Sequence, residues 1–238
     1  MPKQLHNVTL VVIDGGAAIN LMRRAVIDTL DQISPHAFIA YTPEPLGLGE
    51  RWIECHAGNV LEATELGWKK LPYDVETSHY LNIEWDAWVL AGELWDPAWM
   101  GLDYIGAVWP WHPEGSNIGN GISLRSTKMM RYVAEHDFPV VHPEDDTLCR
   151  TYRSRLELAG FRWAAKRQAS RFSFEHEPPH PTFMFHAIRN WPHILTEEGY
   201  LERLAMANEY VRHRPQWGEM RAIAETVYGP GVHINSGL

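Results

Sequence analysis

Two carboxylates, Glu84 and Asp86, bracket Trp85 inside the apolar run HYLNIEWDAWVLAG at residues 79–92. A carboxylate withdrawn from water without a partner costs several kcal/mol, so a chain that buries one pairs it with a cation. Read as a strand, the run sends Glu84 and Asp86 to the same face, roughly 6.5–7 Å apart at ~3.3 Å per residue. Two like charges so placed invite a divalent cation. Oxygen ligands favour hard cations such as Mg²⁺ or Mn²⁺, which in turn favour a diphosphate as the remaining ligand. The competing reading sets both acids at the solvent end of the strand, paired with Arg or Lys.

Three further stretches carry chemistry-capable side chains. In HPEDDTLC (142–149), three consecutive acids follow a proline. They either satisfy the free N–H groups and dipole of a helix start, or leave one carboxylate facing a cleft as a general base. In PTFMFHAIRN (181–190), His186 ends an apolar run, as a hydrogen-bonded core residue or as a metal ligand. GSNIGNGISLRS (115–126) combines small residues and amides ahead of a strand, which serves a turn or lets a ligand approach the backbone.

The elements that must position these residues follow from periodicity. VTLVVID (8–14) is a short β-branched run ended by Gly15 and Gly16, the pattern of a buried parallel strand entering a tight turn. Ile19, Met22, Val26, Leu30 and Ile33 fall at helical spacing, with Pro35 beyond as a stop, and AFIAYT (37–42) is a second strand, making the opening a β-α-β unit. A loop and short helix are expected between residues 43 and 73. Further strands are expected at 78–86, 103–109 and 120–126, helices at 127–135 and 144–160, and a short strand at 161–165. Two amphipathic helices, at about 197–211 and 217–227 around RHRPQ, are expected to cover one side of the sheet. No internal repeat or linker divides the chain, so one domain is expected over residues 1–238, a core at about 8–190 and a helical extension at 191–238.

The 238-residue length suffices for a sizeable core. With 45% hydrophobic and 21% charged residues, the composition is that of an ordinary globular chain. A formal net charge of −9 argues against a large cationic face for nucleic acid. The two cysteines, Cys55 and Cys149, are too few for a disulfide framework and are expected as buried thiols in a reducing compartment. The sequence has no apolar run of the ~18 residues a membrane span needs, and no signal-peptide pattern at its start, so a cytoplasmic location is expected. Eleven tryptophans, with Trp85, Trp88, Trp95, Trp99, Trp109 and Trp111 close together, form either an aromatic core or a stacking platform.

The order of these features resembles the glycosyltransferase-A fold superfamily. It runs from Asp14-Gly15-Gly16 after a strand, through E-x-D at a strand end, a Gly-rich strand and an acidic helix start, to a late histidine. The runs TSHYLNIEWDAWVL, YIGAVWPWH, GNGISLRS, HPEDDTLCRTYR, RFSFE and TFMFHA are more closely similar to a family of uncharacterised glycosyltransferase-like domains of bacteria and their viruses. The resemblance implies a single-domain α/β fold, Rossmann-like, with a mixed, mainly parallel sheet flanked by helices. It also implies a metal-dependent transfer of a sugar from a nucleotide-diphosphate donor, a uridine diphosphate sugar above all, to an acceptor hydroxyl with inversion.

Residue by residue, the resemblance implies that Asp86, His186 and Glu84 hold Mn²⁺ or Mg²⁺, with Glu84 alternatively on the ribose. Asp14, Gly15, Gly16 and Trp85 would lie on the donor. Asp145 would be the base, with Asp146 the adjacent candidate. Glu144, Asn120 and Gly121 would line the sugar and acceptor side. Trp109 and Trp111 would stack on a sugar or pack under the Gly-rich stretch. The acceptor stays open among a glycan, a protein, a small molecule and, less favoured by the acidic balance, a hydroxylated DNA base. Two other functions compete: a domain that binds nucleotide sugar or glycan without turnover, and a metal-dependent phosphohydrolase or nucleotidyltransferase.

Overall fold

The computed structural model describes residues 1–233. β1 (Lys3–Ile13) is buried without a break from Val8 to Val12, as a central parallel strand must be. α1 (Ile19–Gln32) buries Leu21, Met22, Ala25, Val26 and Thr29, a stripe at helical spacing. β2 (Ile33–Thr42) follows with no linker. Pro35, expected as a stop beyond the helix, therefore lies inside the strand opposite Leu5, where the register with β1 is irregular and a missing N–H is tolerated.

The chain continues through β3 (Arg51–Glu54), α2 (Val60–Lys69), α3 (Leu71–Asp74), β4 (His79–Ile83), β5 (Tyr104–Val108), β6 (Ile118–Ser126) and α4 (Thr127–Glu135). The sheet order is β3-β2-β1-β4-β6-β5, parallel throughout except that β6 runs antiparallel to both its neighbours. This is the α/β architecture with a mixed, mainly parallel sheet that the sequence implied. Alternation along the strands feeds two cores. Leu10, Val12, Ala40 and Leu81 pack with Met22 and Val26 of α1, while Val11, Ile39, Tyr41 and Tyr80 pack with Trp68, Leu71, Met129 and Val133 on the opposite face.

Beyond the sheet, the expected helix at 144–160 is broken in two. α5 (Glu144–Asp146) passes into a π-helical turn at Thr147–Thr151, where Tyr152 N donates to Thr147 O at 2.9 Å, and α6 (Arg153–Leu158) resumes the helix before Gly160 turns the chain at φ +93°. The stretch at 161–165 contributes one bridge, Trp163 to Tyr104, rather than a strand. α7 (Lys166–Phe172) leads into a second, two-stranded sheet of β7 (Ser173–Phe174) and β8 (Met184–Phe185), paired in parallel.

The C-terminal part comprises α8 (Trp191–Ile194), α9 (Glu197–Met206), α10 (Glu209–Arg212) and α11 (Gln216–Tyr228). The expected helix at 197–211 is thus divided, because the Asn208 side chain accepts from Val211 N and caps a new start. These helices build a third core around Trp191, Tyr200, Leu204, Val211 and Met220, closed against Leu21 and Ala25 of α1. Arg203 pairs with Asp28 and Glu202 with Arg24 across the same contact. Among the described residues, no helix is long and apolar enough to cross a membrane. Both cysteines are buried and free.

Candidate functional site

β1 has β2 on one side and β4 on the other, so the order of winding reverses between β1 and β4. Beyond the carboxyl ends of such a pair the polypeptide leaves a crevice. A cleft of ≈ 420 Å³ occupies that position, with Asp14, Glu84, Trp85, Arg125 and Glu144 on its walls.

Asp14 follows β1 directly. Its Oδ1 accepts from Gly16 N at 2.7 Å, while its buried Oδ2 has no well-formed hydrogen bond among the described residues. Burial raises the Asp14 pKa against the lowering effect of the Gly16, Ala18 and Ala17 backbone N–H groups. Gly15 is required by space, since a Cβ there would stand 2.1 Å from the Ala57 carbonyl oxygen.

β4 ends at Ile83, so Glu84 and Asp86 lie in the following turn, closed by Ala87 N donating to Glu84 O at 3.1 Å, and not on an extended strand. The strand-based separation is therefore replaced by a tighter arrangement. One ligand atom each from Glu84, Asp86 and His186 lie within 4.8 Å of one another. His186 Nε2 is 3.4 Å from Asp86 Oδ1 and 3.7 Å from Glu84 Oε2. Asp86 is buried and its Oδ1 has no hydrogen bond of good geometry, whereas the Glu84 side chain is 41% exposed, open to the cleft.

The opposite nitrogen, His186 Nδ1, is 3.3 Å from Oε1 of the buried Glu175. The strand register explains this meeting: Phe174 pairs with Phe185, so the next residue of each strand stands beside the other. Asn190 Nδ2 clamps the pair from behind, donating to Glu175 O at 3.0 Å and His186 O at 2.6 Å. Ala187, immediately after the histidine, has φ +80°, a left-handed backbone costly for an L residue and frequent at functional sites. Burial alone would lower the His186 pKa, but the Asp86 and Glu175 charges outweigh it and hold it well above the usual range. The reciprocal effect holds Glu175 well below the usual carboxylate range, with His186 and His176 overcoming its burial.

The three acids of α5 have three different fates. Glu144 accepts from Arg125 twice, at 2.9 and 2.5 Å, and from Trp68 Nε1 at 3.0 Å, so it is a half-buried anchor whose two oxygens are both engaged. Asp146 pairs with Arg150 at 2.6 Å on the surface. Asp145 makes no side-chain ion pair among the described residues; burial, then the charges of Glu144 and Glu84, push its pKa up to about 7 against the Asp146 N–H and Arg125.

The Gly-rich stretch lies within β6 and joins these groups. Asn120, at φ +98°, donates through Nδ2 to Glu175 Oε2 at 2.5 Å. The Gly121 carbonyl accepts from Asn82 Nδ2 at 2.9 Å and Arg125 Nη2 at 3.1 Å, and a Cβ on Gly121 would stand 2.4 Å from Glu84 Oε1. Of the tryptophans, Trp88, Trp95, Trp99 and Trp109 are buried, Trp109 against Gly119. Trp85 stands on the cleft wall, edge-on to Trp191, and Trp111 is exposed beside His176 at a ring separation of 4.3 Å.

Glu175, Asn190 and Arg125 build the site with no motif that announces them, as do Tyr210 of α10 and Arg214 of the turn after it, which line the cleft. The final acid of RFSFE, placed straight after the alternating Phe172, Ser173 and Phe174, was the available signal for Glu175. Nothing in the local sequence signals that α10 and the residues after it would fold back over the cleft.

Together, fold and cleft define an α/β protein with an acid-rich site at the topological switch of its sheet. Residues 59–187 match the family described as "Protein of unknown function (DUF5672)", more than half of the chain, and the chain belongs to that family. The matched residues include Glu84, Asp86, Asp145, Glu175 and His186. No curated protein matches the chain in sequence.

Proposed function

We propose that the protein is a metal-dependent glycosyltransferase of the glycosyltransferase-A type. It moves a sugar from a nucleotide-diphosphate donor, a uridine diphosphate sugar by preference, to an acceptor hydroxyl with inversion. The observation that carries this reading is the convergence of Glu84, Asp86 and His186 at the end of β4, on the margin of the switch-point cleft. Five carboxylates, Glu84, Asp86, Glu144, Asp145 and Glu175, crowd this region against Arg125, Arg214, His176 and His186, still fewer cations than acids, and a divalent cation would offset the difference. Asp86 Oδ1, buried and without a well-formed hydrogen bond among the described residues, fits a metal ligand, and the two oxygens and one imidazole suit Mn²⁺ or Mg²⁺.

Glu84, Asp86 and His186 would hold such a cation, which would supply charge neutralisation to the donor diphosphate. Glu175 orients the imidazole so that Nε2 faces the two acids, the partner that ligating histidines generally have. Asp145, with a pKa near neutrality, accepts the acceptor hydroxyl proton as that oxygen bonds to the anomeric carbon. The bond from that carbon to the diphosphate oxygen breaks on the opposite face. Glu144, fixed by Arg125 and Trp68, holds α5 in place and keeps its neighbour's pKa high.

The test is release of uridine diphosphate from a panel of uridine diphosphate sugars with Mn²⁺, with and without a mixture of hydroxylated acceptors. Acceptor-dependent release that needs Asp86 and Asp145 is the expected result. Release to water regardless of acceptor would indicate a hydrolase, and tight binding without release would indicate a binding domain.

A further inference from the structure

The C-terminal arm, outside the family-matched residues, forms part of the cleft wall through Tyr210 and Arg214. Two guanidinium groups face this cleft, and they differ in what they are free to do. Arg125 is buried and committed to Glu144 through two hydrogen bonds. Arg214 is exposed and has no side-chain hydrogen bond or ion pair among the described residues; its guanidinium lies 5.9 Å from the centroid of the Tyr210 ring. A chain of net charge −9, whose cleft carries Asp14, Glu84 and Glu144, offers many acids, yet this cation pairs with none of them.

The arm is anchored. Asn208 Nδ2 donates to the Ala17 carbonyl at 2.7 Å, tying it to the loop that carries Asp14, and Val211 is wholly buried in the third core. Arg212 Nε donates back to Ala207 O at 3.1 Å. Arg214 is thus mounted on a fixed wall, and a planar fork of N–H donors suits two phosphate oxygens better than a single point charge would.

We infer that Arg214 is a phosphate-binding residue of this cleft, taking the diphosphate of the bound nucleotide from the wall built by the C-terminal arm. The inference rests on the donor-site reading above and adds the extension to that site. It makes the extension part of the binding machinery.

The test uses the full chain with Mn²⁺ and three probes: uridine diphosphate, uridine and pyrophosphate. Arg214→Ala is expected to keep the wild-type melting temperature, weaken uridine diphosphate and pyrophosphate about ten- to a hundredfold, and leave uridine unchanged. Arg214→Lys is expected to recover part of the loss. Wild-type affinity for uridine diphosphate in Arg214→Ala would overturn the inference while leaving the metal site standing. Equal losses for uridine and uridine diphosphate would also overturn it, as the mark of a residue that merely shapes the cleft. Arg214-dependent binding of pyrophosphate without any binding of nucleoside diphosphate would keep the anion contact and remove the donor reading. Binding of none of the three by the wild type would remove both.

Discussion

His186 Nδ1 stands 3.3 Å from Glu175 Oε1, each residue lying one position past the paired ends of β7 and β8. The carboxylate therefore acts on any metal through the ring it orients. Glu175→Gln is expected to weaken Mn²⁺ binding about 10- to 100-fold, as removal of such an outer partner generally does. Calorimetric titration with Mn²⁺ checks this, and unchanged affinity would make Glu175 a structural partner only.

The same geometry predicts a stability effect in metal-free protein. His186→Ala leaves Asp86 buried without its cation, with Glu175 keeping only His176, and breaking a buried pair in this way costs about 3–5 kcal/mol. Urea unfolding of both proteins in the presence of a chelator measures it.

Asp145→Asn should leave nucleotide binding intact and lower turnover by about 10²- to 10⁴-fold. Because its pKa is pushed up to about 7, the wild-type rate should rise with pH through that value as the base ionises. The sign for stability is the opposite. A carboxyl raised from 3.8 binds its proton more tightly when folded, so its contribution is full below about pH 4 and is lost as pH rises through about 7. Comparing melting temperatures of wild type and Asp145→Asn between pH 5 and 8 checks the direction, since the variant should not show that decline.

Gly121→Ala offers a separate probe of Glu84. The new methyl would meet Glu84 Oε1 at 2.4 Å, and the acid would yield because its carboxylate is the mobile, half-exposed end of the side chain. Mn²⁺ affinity is expected to fall about tenfold, in line with displacement of one ligand, with a melting temperature close to wild type. A large loss of stability with unchanged metal affinity would show that Glu84 does not bind the metal.

Much of the fold is legible in the sequence because the central strands are buried on both faces and read as unbroken β-branched runs, as at Val8 to Val12. Element ends were less legible. Ile33 belongs to β2 because the chain enters the strand with no turn residue between, and residues 144–160 break at a π turn that helical periodicity does not register. Glu84, Asp86 and His186 were recognisable as a set, but their closeness comes from a turn after β4 and from the pairing of β7 with β8, neither of which spacing reveals. Arg125 was hidden because its partner Glu144, which also accepts from Trp68, is distant in sequence from both.

Glu84, Asp86 and His186 are proposed to bind a divalent cation together with a nucleoside diphosphate. The most direct test titrates the protein with uridine diphosphate, with and without Mn²⁺, following the fluorescence of Trp85 and its neighbours. Binding that requires Mn²⁺ and disappears in Asp86→Ala is the result predicted; equal binding with and without Mn²⁺, or retained by Asp86→Ala, would contradict it.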